Sequence, residues 1–290
     1  MPDDIDFSRS TCPLPISRHE RIVLGHGSGG KLSAELLQQM FLPAWDNEIL
    51  AALEDQAQLD LASRWRKGAG TSAPQLAFTT DSFVVRPLFF PGGDIGKLAV
   101  HGTVNDLAVG GAIPLYLSAA FILEEGLLLR DLQQVIQSMQ AACAEARVTL
   151  VTGDTNVVDR GKGDQIFITT SGIGIIPEGR RLSIHNARPG DRVLVSGTIG
   201  AHGIAIMSVR EGIEFDTVLQ SDTAPLADLT ATMLEVCPEI RCMRDPTRGG
   251  LSSALNELAA ASRVGVRLEE SRLPIRREVR GACEMLGLDP

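Results

Sequence analysis

The chain has 290 residues, of which 44% are hydrophobic and 22% are charged, and its formal net charge is −9. This length and composition predict a globular protein with a sizeable core and two domains, and they exclude a disordered or fibrous chain. The negative net charge argues against broad nucleic-acid binding, which requires clustered Lys and Arg.

The first residues and the cysteines bear on the cellular compartment. Residues 1–18 contain three Asp and no apolar core of the kind a signal peptide needs, and no apolar run reaches the ~20 residues of a membrane helix. The five cysteines show no disulfide or zinc spacing, because the C-x₄-C pair Cys237 and Cys242 has no second pair nearby. We therefore predict a cytoplasmic protein that is not bound to a membrane. The sequence does not assign a role to Cys237 and Cys242.

The first half of the chain alternates strand and helix patterns. Residues 1–20 are predicted to be a flexible arm, and a short strand over 21–24 leads into the glycine-rich stretch 25–31. Further along, the patterns predict a helix over 32–40, a loop over 66–74, a strand over 76–80, a helix over 95–111 capped by Asp94, a helix over 127–147, a strand over 148–152 and a β-rich run over 165–176.

A polar, turn-rich stretch over 177–189 marks the predicted domain boundary, which divides the chain into domains 21–176 and 177–290. Beyond it the patterns predict strands over 192–196 and 264–269 and helices over 204–210, 224–236, 250–263 and 275–287. Each of the two predicted domains mixes strands and helices, which indicates two lobes of the α/β or α+β class.

The glycine-rich stretch Gly25–Lys31 nearly matches the P-loop pattern G-x-x-x-x-G-K-[ST], but Leu32 stands where the Mg²⁺-binding hydroxyl belongs. A P-loop and a plain mobile loop therefore remain alternatives to the favoured interpretation, a loop that folds over a nucleotide. In that interpretation backbone N–H groups and one lysine donate to phosphate, and the donors belong to Gly27, Ser28, Gly29, Gly30 and Lys31.

Aspartates flanked by Thr, Ser and Gly are the most informative polar residues. Asp81 and Asp154 follow predicted strands, Asp106 lies in a small-residue helix, and Asp55 precedes a short polar stretch. Any one of them could be a turn or capping residue, but four together indicate that they meet at an Mg²⁺–phosphate site. Asp245 opens a fifth cluster before a predicted helix whose free N–H groups, with Arg248, favour an anion.

Other catalytic classes lack their motifs. The sequence contains no H-x₃-H, H-E-x-x-H or G-x-S-x-G pattern, which argues against zinc and serine hydrolases. The glycine-rich turn around His202 is explained equally well by close packing and by ligand contact.

Six motifs together resemble one family. They are His26-Gly27-Ser28-Gly29-Gly30, Thr80-Asp81-Ser82, the block from Pro87 to Gly96, Asn105-Asp106-Leu107-Ala108, Val151 to Thr155 and Asp245-Pro246-Thr247-Arg248. In this order they are similar to the HypE family of hydrogenase maturation proteins, from about residue 21 onward. The Pro-Leu-Phe-Phe-Pro-Gly-Gly-Asp block separates HypE from its superfamily relatives, aminoimidazole ribonucleotide synthetase and selenophosphate synthetase.

The resemblance implies a two-lobed, aminoimidazole ribonucleotide synthetase-like fold that binds ATP and Mg²⁺ and forms a homodimer through its N-terminal sheets. It implies ATP-dependent dehydration of a cysteine-bound carbamoyl group to thiocyanate, the source of cyanide for [NiFe]-hydrogenase. HypF, which supplies the carbamoyl group, and the HypC–HypD complex are the implied partners.

The resemblance also implies site residues. Those implied for ATP and phosphate beyond the glycine loop are Thr80, Thr103, Asn105, Thr155 and Arg248, and those for the metal are Asp55, Asp81, Asp106, Asp154 and Asp245. Asn156 stands where many relatives have Lys. The given sequence stops at Pro290, before the family's C-terminal Pro-Arg-Ile-Cys, so the expectation is a chain that binds ATP without completing thiocyanate formation. A related small-molecule synthetase and a catalytically silent docking partner remain alternatives.

Overall fold

The computed structural model describes residues 30–36, 38, 48–54, 57–60, 75–212 and 219–288. The chain separates into two compact units, Met1–Trp45 and Asp46–Pro290. Helix α1 (Lys31–Leu36) belongs to the first unit, and all other described elements belong to the second. The predicted arm and the strand over 21–24 lie outside the described residues.

A five-stranded sheet organises the second unit, in the strand order β1-β2-β7-β5-β6. All neighbouring pairs are antiparallel except β5 and β6, which are parallel and joined by a crossover helix, as parallel strands require. The elements of this half are α2 (Glu48–Ala51), β1 (Ala57–Asp60), β2 (Gln75–Phe83), β3 (Phe89–Phe90), β4 (Gly93–Asp94), α3 (Ile95–Val109), β5 (Ile113–Glu124), α4 (Leu129–Glu145), β6 (Thr149–Val158) and β7 (Ile166–Ile176).

Helix α3 is the buried centre of the unit. Its residues Ala99, Val100, Val104 and Leu107 have no exposed surface, because the helix lies between the inner face of the sheet and helix α4. The predicted cap is confirmed: Asp94 Oδ1 accepts hydrogen bonds from the N–H groups two and three residues later, at 2.7 and 3.0 Å. The predicted strands ending at residues 80 and 152 are longer than expected, so Asp81 and Asp154 lie within β2 and β6 and not beyond their ends.

Helices α3 and α4 approach closely at Gly96. A Cβ atom there would lie 2.6 Å from the backbone oxygen of Val135 and 2.8 Å from Cγ of Met139. We expect Gly96→Ala to lower the free energy of unfolding by about 1–3 kcal/mol through overpacking. Gly203→Ala, in an exposed helical position with open space around it, should instead be neutral or stabilising by up to about 1 kcal/mol. Chemical denaturation of both variants checks this, and equal effects would contradict the close approach.

His101 is a buried titratable residue on α3, with 1% of its surface exposed. Burial lowers its pKa from 6.5 to about 4, opposed by Glu145, whose Oε2 lies 3.6 Å from Nε2, and reinforced by the charge of Lys97. The folded protein therefore holds a neutral imidazole at pH 7.

This shift predicts acid sensitivity. Between pH 6.5 and 4 the unfolded chain binds a proton at His101 that the folded chain does not, so stability falls as the pH falls through this window. The expected loss is roughly 3 kcal/mol over the window. Denaturation of wild type and His101→Gln at several pH values should show a shallower dependence in the variant. Identical slopes would show that His101 is not buried as a neutral group.

Beyond the sheet the described chain is helical, with α5 (Ala201–Glu211), α6 (Ala227–Val236), α7 (Gly250–Ser262), a 3₁₀ turn (Glu270–Arg272) and α8 (Arg277–Leu286). The strands predicted over 192–196 and 264–269 are wrong: neither segment is a strand in the structure. A strand needs a neighbour for its backbone hydrogen bonds, and among the described residues none pairs with these segments. None of the described helices is both long enough and apolar enough to span a membrane.

Candidate functional site

An acidic site forms where β2, α3 and the segment before α7 meet. Asp81 lies on the inner face of β2, two residues after Thr79, whose hydroxyl donates to Oδ2 of Asp106 at 2.9 Å. Asp245 lies close enough to Asp81 for the two charges to interact. Three of the predicted metal-binding aspartates therefore lie on elements that meet at this site.

A missing side chain lets α3 approach β2 at the site. A Cβ atom on Gly102 would lie 2.9 Å from two ring carbons of Phe83 and 3.7 Å from Oδ2 of Asp81. A larger residue at position 102 would therefore require the ring of Phe83 or the helix to shift. The same helix presents Asp106, whose Oδ2 accepts the hydroxyl of Thr79 on β2.

The two interacting carboxylates resist ionisation. Burial raises the pKa of Asp81, opposed by the charge of Arg248. Burial also raises the pKa of Asp245, and the negative charge of Asp81 raises it further. Two acidic groups whose pKa values are raised together are typical of a functional site, because a bound cation would relieve both burial and mutual repulsion.

Arg248 spans the site from the segment that leads into α7. Its Nη2 lies 3.4 Å from Oδ1 of Asp81 and donates to the backbone oxygen of Ser82 at 3.3 Å. The guanidinium is 56% exposed, so it contacts Asp81 on one side and solvent on the other. An anion such as a phosphate group could therefore bind Arg248 directly above the carboxylates.

The carboxylates of the site suit a hard cation that also binds phosphate oxygens and water. Within the described ranges, no three His, Cys, Asp or Glu side chains are grouped so as to hold a metal by themselves. Mg²⁺ needs only one or two carboxylates when phosphate oxygens and water complete its octahedron. Asp81 and Asp245, with their raised pKa values, fit that requirement.

Several predicted residues lie elsewhere or outside the described chain. Gly27, Ser28, Gly29 and Asp55 lie outside the described residues. Gly30 and Lys31 are described, in the first compact unit, where Lys31 Nζ lies 3.8 Å from Oε1 of Glu35.

Two predicted phosphate ligands have other partners in the structure. Thr103 is fully buried, and its hydroxyl oxygen lies 2.5 Å from that of Thr170, so in this structure its hydroxyl bonds to the neighbouring strand. Asn105 donates to the backbone oxygen of Ala224 at 3.0 Å and accepts from the N–H of Leu226 at 2.8 Å. Its amide therefore binds the chain before α6.

Asp154 is not brought to Asp81 within one protomer. Their strands are separated by β7 and β5, about 14 Å at the usual spacing of about 4.8 Å. The register places Asp81 on the inner face with Thr170, and Asp154 on the outer face with Ala120. Knowing only that Asp81 and Asp154 lie on strands does not reveal which face each occupies, because the face alternates with each residue.

Thr80 and Thr155 each adjoin a predicted metal-binding aspartate in the sequence, and each makes hydrogen bonds within the sheet. Thr80 lies on the outer face, where its hydroxyl donates to the backbone oxygen of Thr170 at 3.0 Å and accepts from Ser171. The N–H of Thr155 donates to Oδ1 of Asp154 at 2.8 Å. Sequence reasoning missed Thr79 and Gly102, although the two-residue periodicity of a strand places Thr79 on the same face as Asp81.

Family models match most of the chain. The model described as AIR synthase related protein, N-terminal domain, matches residues 55–176, and the corresponding C-terminal domain model matches residues 188–290. We refer to these as the N-terminal and C-terminal regions. The predicted division into 21–176 and 177–290 stays a prediction.

Individual relatives are similar over nearly the whole chain. The carbamoyl dehydratase HypE of Cupriavidus necator is 53% identical over 278 residues, which are 96% of this chain and 76% of that protein. A crystal structure of a HypE–HypF complex superimposes with a TM-score of 0.80 at 50% identity, covering 88% of this chain and 79% of that one. A structure of HypE in complex with ATP superimposes with a TM-score of 0.73 at 47% identity, covering 93% of this chain and 77% of that one.

Proposed function

The chain belongs to the HypE family of AIR synthase-related proteins, and from that membership we propose that it is an ATP-dependent carbamoyl dehydratase of [NiFe]-hydrogenase maturation. The observation that carries the proposal is the pair of interacting, half-buried carboxylates, Asp81 and Asp245, with Arg248 beside Asp81, in a chain about half identical to such dehydratases. A cation and a polyphosphate would complete the charges of this site.

The reaction needs an activated oxygen. A cysteine-bound carbamoyl group, S–C(=O)–NH₂, loses its oxygen and two N–H protons to become S–C≡N. Amide oxygen is a poor leaving group, so transfer of the γ-phosphoryl group of ATP to that oxygen lets it depart as phosphate, with ADP as the other product. Positioning and charge neutralisation account for most of the catalysis of such transfers.

Each residue of the acidic site has a role in this scheme. We infer that Asp81 and Asp245 hold Mg²⁺, which would neutralise charge on the phosphates when bound, and Asp106 on the adjoining helix stays a predicted metal-site residue. The hydroxyl of Thr79 orients Asp106, and Arg248 contacts the transferred phosphoryl group. Gly27 to Lys31 remain predicted phosphate-binding residues, and Asp55 remains a predicted metal-binding residue.

A homodimer accounts for the outer face of the sheet. There Phe78, Ile173 and Tyr116 lie side by side in register on three strands and are each between 39% and 48% exposed. Apolar surface of this kind is typical of an interface. We propose that a second copy covers it, and that Asp154 and Thr155 then act at the partner's ATP site.

The cellular setting follows from the family. We propose that the protein works in the cytoplasm, receives its carbamoyl group from HypF and delivers cyanide to the HypC–HypD complex. The HypE–HypF crystal structure of a relative supports the first of these partners.

The direct test supplies both substrates. Purified protein is incubated with Mg²⁺-ATP and an S-carbamoylated peptide that ends in Pro-Arg-Ile-Cys, and ADP and peptide thiocyanate are quantified. We expect ADP formation that depends on the carbamoyl group, with one thiocyanate for each ADP. ADP formation stimulated only by free small molecules would favour a small-molecule synthetase. ATP binding with no turnover on any substrate would favour a docking protein.

A further inference from the structure

One short segment is attached to both the N-terminal and the C-terminal region. We call residues Leu219–Leu226 the interlobe strap. At its start Leu219 is buried in a small apolar cluster of the C-terminal region, with Ala201 and Ile204 of α5 and Val279 of α8. At its end the strap leads into α6, which packs against α3. The strap therefore belongs to the C-terminal region and leads to a helix that packs against the N-terminal region.

Two contacts fix the strap to the N-terminal region. The N–H of Ser221 donates to the backbone oxygen of Pro91 at 2.8 Å, beside Gly92, whose φ of +92° and lack of a side chain permit the approach. A Cβ atom on Gly92 would lie 2.8 Å from the nitrogen of Ser221. Further along, Asn105 binds the backbone of Ala224 and Leu226 through both ends of its amide.

One side chain fixes the strap to the C-terminal region. His202, in the first turn of α5, places Nδ1 2.9 Å from the hydroxyl oxygen of Ser221, and its ring packs edge-on against Phe90 at 5.4 Å. The same oxygen accepts the N–H of Thr223 at 3.2 Å. Burial lowers the pKa of His202, opposed by Asp222, so the neutral ring is favoured, and its Nδ1 shares one hydrogen bond with the Ser221 hydroxyl.

These contacts lie beside the acidic site. Asn105 directly precedes Asp106 on α3, so its two hydrogen bonds join the strap to the turn of the helix that presents Asp106 to Thr79. The other wall of the site, with Asp245 and Arg248, comes from the C-terminal region. The strap therefore connects the elements that carry the two walls of the site.

We propose that Asn105 and His202 are positioning residues: they hold the interlobe strap so that Asp245 and Arg248 close on Asp81 and Asp106 for phosphoryl transfer. The expected loss of turnover rests on the proposed function, but the contacts of the strap can be measured by hydrogen exchange in the absence of turnover. Neither residue is required to touch ATP, which distinguishes this role for Asn105 from the phosphate contact that the sequence predicts.

The first test removes the Asn105 amide. In Asn105→Ala we expect hydrogen exchange at the Leu226 N–H to accelerate at least about 10-fold, because its acceptor is gone. Turnover should fall roughly 10- to 100-fold while the affinity for Mg²⁺-ATP changes less than about threefold, since misplacement affects the chemical step more than binding. The matched control is Asn256→Ala on α7, whose amide donates to the backbone oxygen of Ser252 within the same helix at 2.9 Å. It should leave the exchange rate and turnover unchanged.

The second test uses a conservative replacement. His202→Ala should show the same loss of turnover, with faster exchange at the Ser221 N–H, whereas His202→Asn should restore most of both because its amide can take the place of Nδ1. Unaltered exchange in Asn105→Ala and His202→Ala would overturn the strap. Faster exchange with unaltered turnover would overturn its role in positioning. If wild type and Asn256→Ala both lack carbamoyl-dependent turnover, the proposed function fails instead.

Discussion

Asp81→Asn is expected to lower carbamoyl-dependent ATP turnover by at least about 100-fold, because the variant loses a charged oxygen at the centre of the proposed phosphate site. Asn has nearly the same shape, so it can occupy the same position beside Gly102. Steady-state ADP formation at saturating ATP measures the effect. Calorimetric titration with Mg²⁺-ATP should show weaker binding in the same variant.

Although Asp81→Asn should lose turnover, its folded state should not lose stability. Burial raises the pKa of Asp81 in the folded protein, so ionisation of this group costs stability as the pH rises above 3.8 and through the folded pKa. A neutral Asn avoids that cost, and the free energy of unfolding at pH 7 should be unchanged or higher. Lost turnover in an equally stable protein separates a functional role from misfolding.

A matched carboxylate serves as the control. Asp164 is partly exposed and lies 3.8 Å from Arg86, outside the acidic site. Asp164→Asn removes the same charge and should keep turnover within about twofold of wild type, since exposed ion pairs contribute little. Turnover of Asp81→Asn within threefold of wild type would refute the assignment of Asp81.

The sequence predicts those elements whose cause is local. Asp94 caps α3 because its own carboxylate reaches the next N–H groups, and that requires only the residues around it. The length and amphipathic spacing of α4 likewise predict a helix near its observed bounds, Leu129–Glu145. The order of the six motifs indicates the family, because it can be recognised in the sequence without knowledge of the three-dimensional structure.

Features with distant causes could not be predicted in the same way. The burial of Thr103 depends on Thr170, a residue 67 positions away that lies on another strand. The segment over 192–196 has the composition of a strand, but a strand forms only if another strand lies beside it. Asp154 shares its sequence context with Asp81 and still faces the other side of the sheet, because a difference of one residue in register reverses the face.

Disruption of the proposed dimer is the second large expected effect. Ile173→Asp places a charge in the middle of the apolar row formed with Phe78 and Tyr116, and burial of that charge at an interface should weaken self-association at least about 100-fold. Sedimentation equilibrium should show a dimer for wild type and a monomer for the variant at micromolar concentration. Leu268→Asp is the matched control, since this leucine is 50% exposed in the C-terminal region, and it should remain dimeric.

Subunit mixing tests whether Asp154 acts across that dimer. Asp81→Asn and Asp154→Asn should each be nearly inactive alone. If each ATP site takes Asp81 from one protomer and Asp154 from the other, a mixed dimer contains one intact site and one site with both defects. Random exchange of equal amounts should then restore about a quarter of wild-type turnover, because half of the dimers are mixed and half of their sites are intact. The Ile173→Asp substitution in both partners should abolish the recovery. No recovery in dimers that do exchange subunits would place Asp154 outside the partner's site, and the outer-face position would then have a purely structural role.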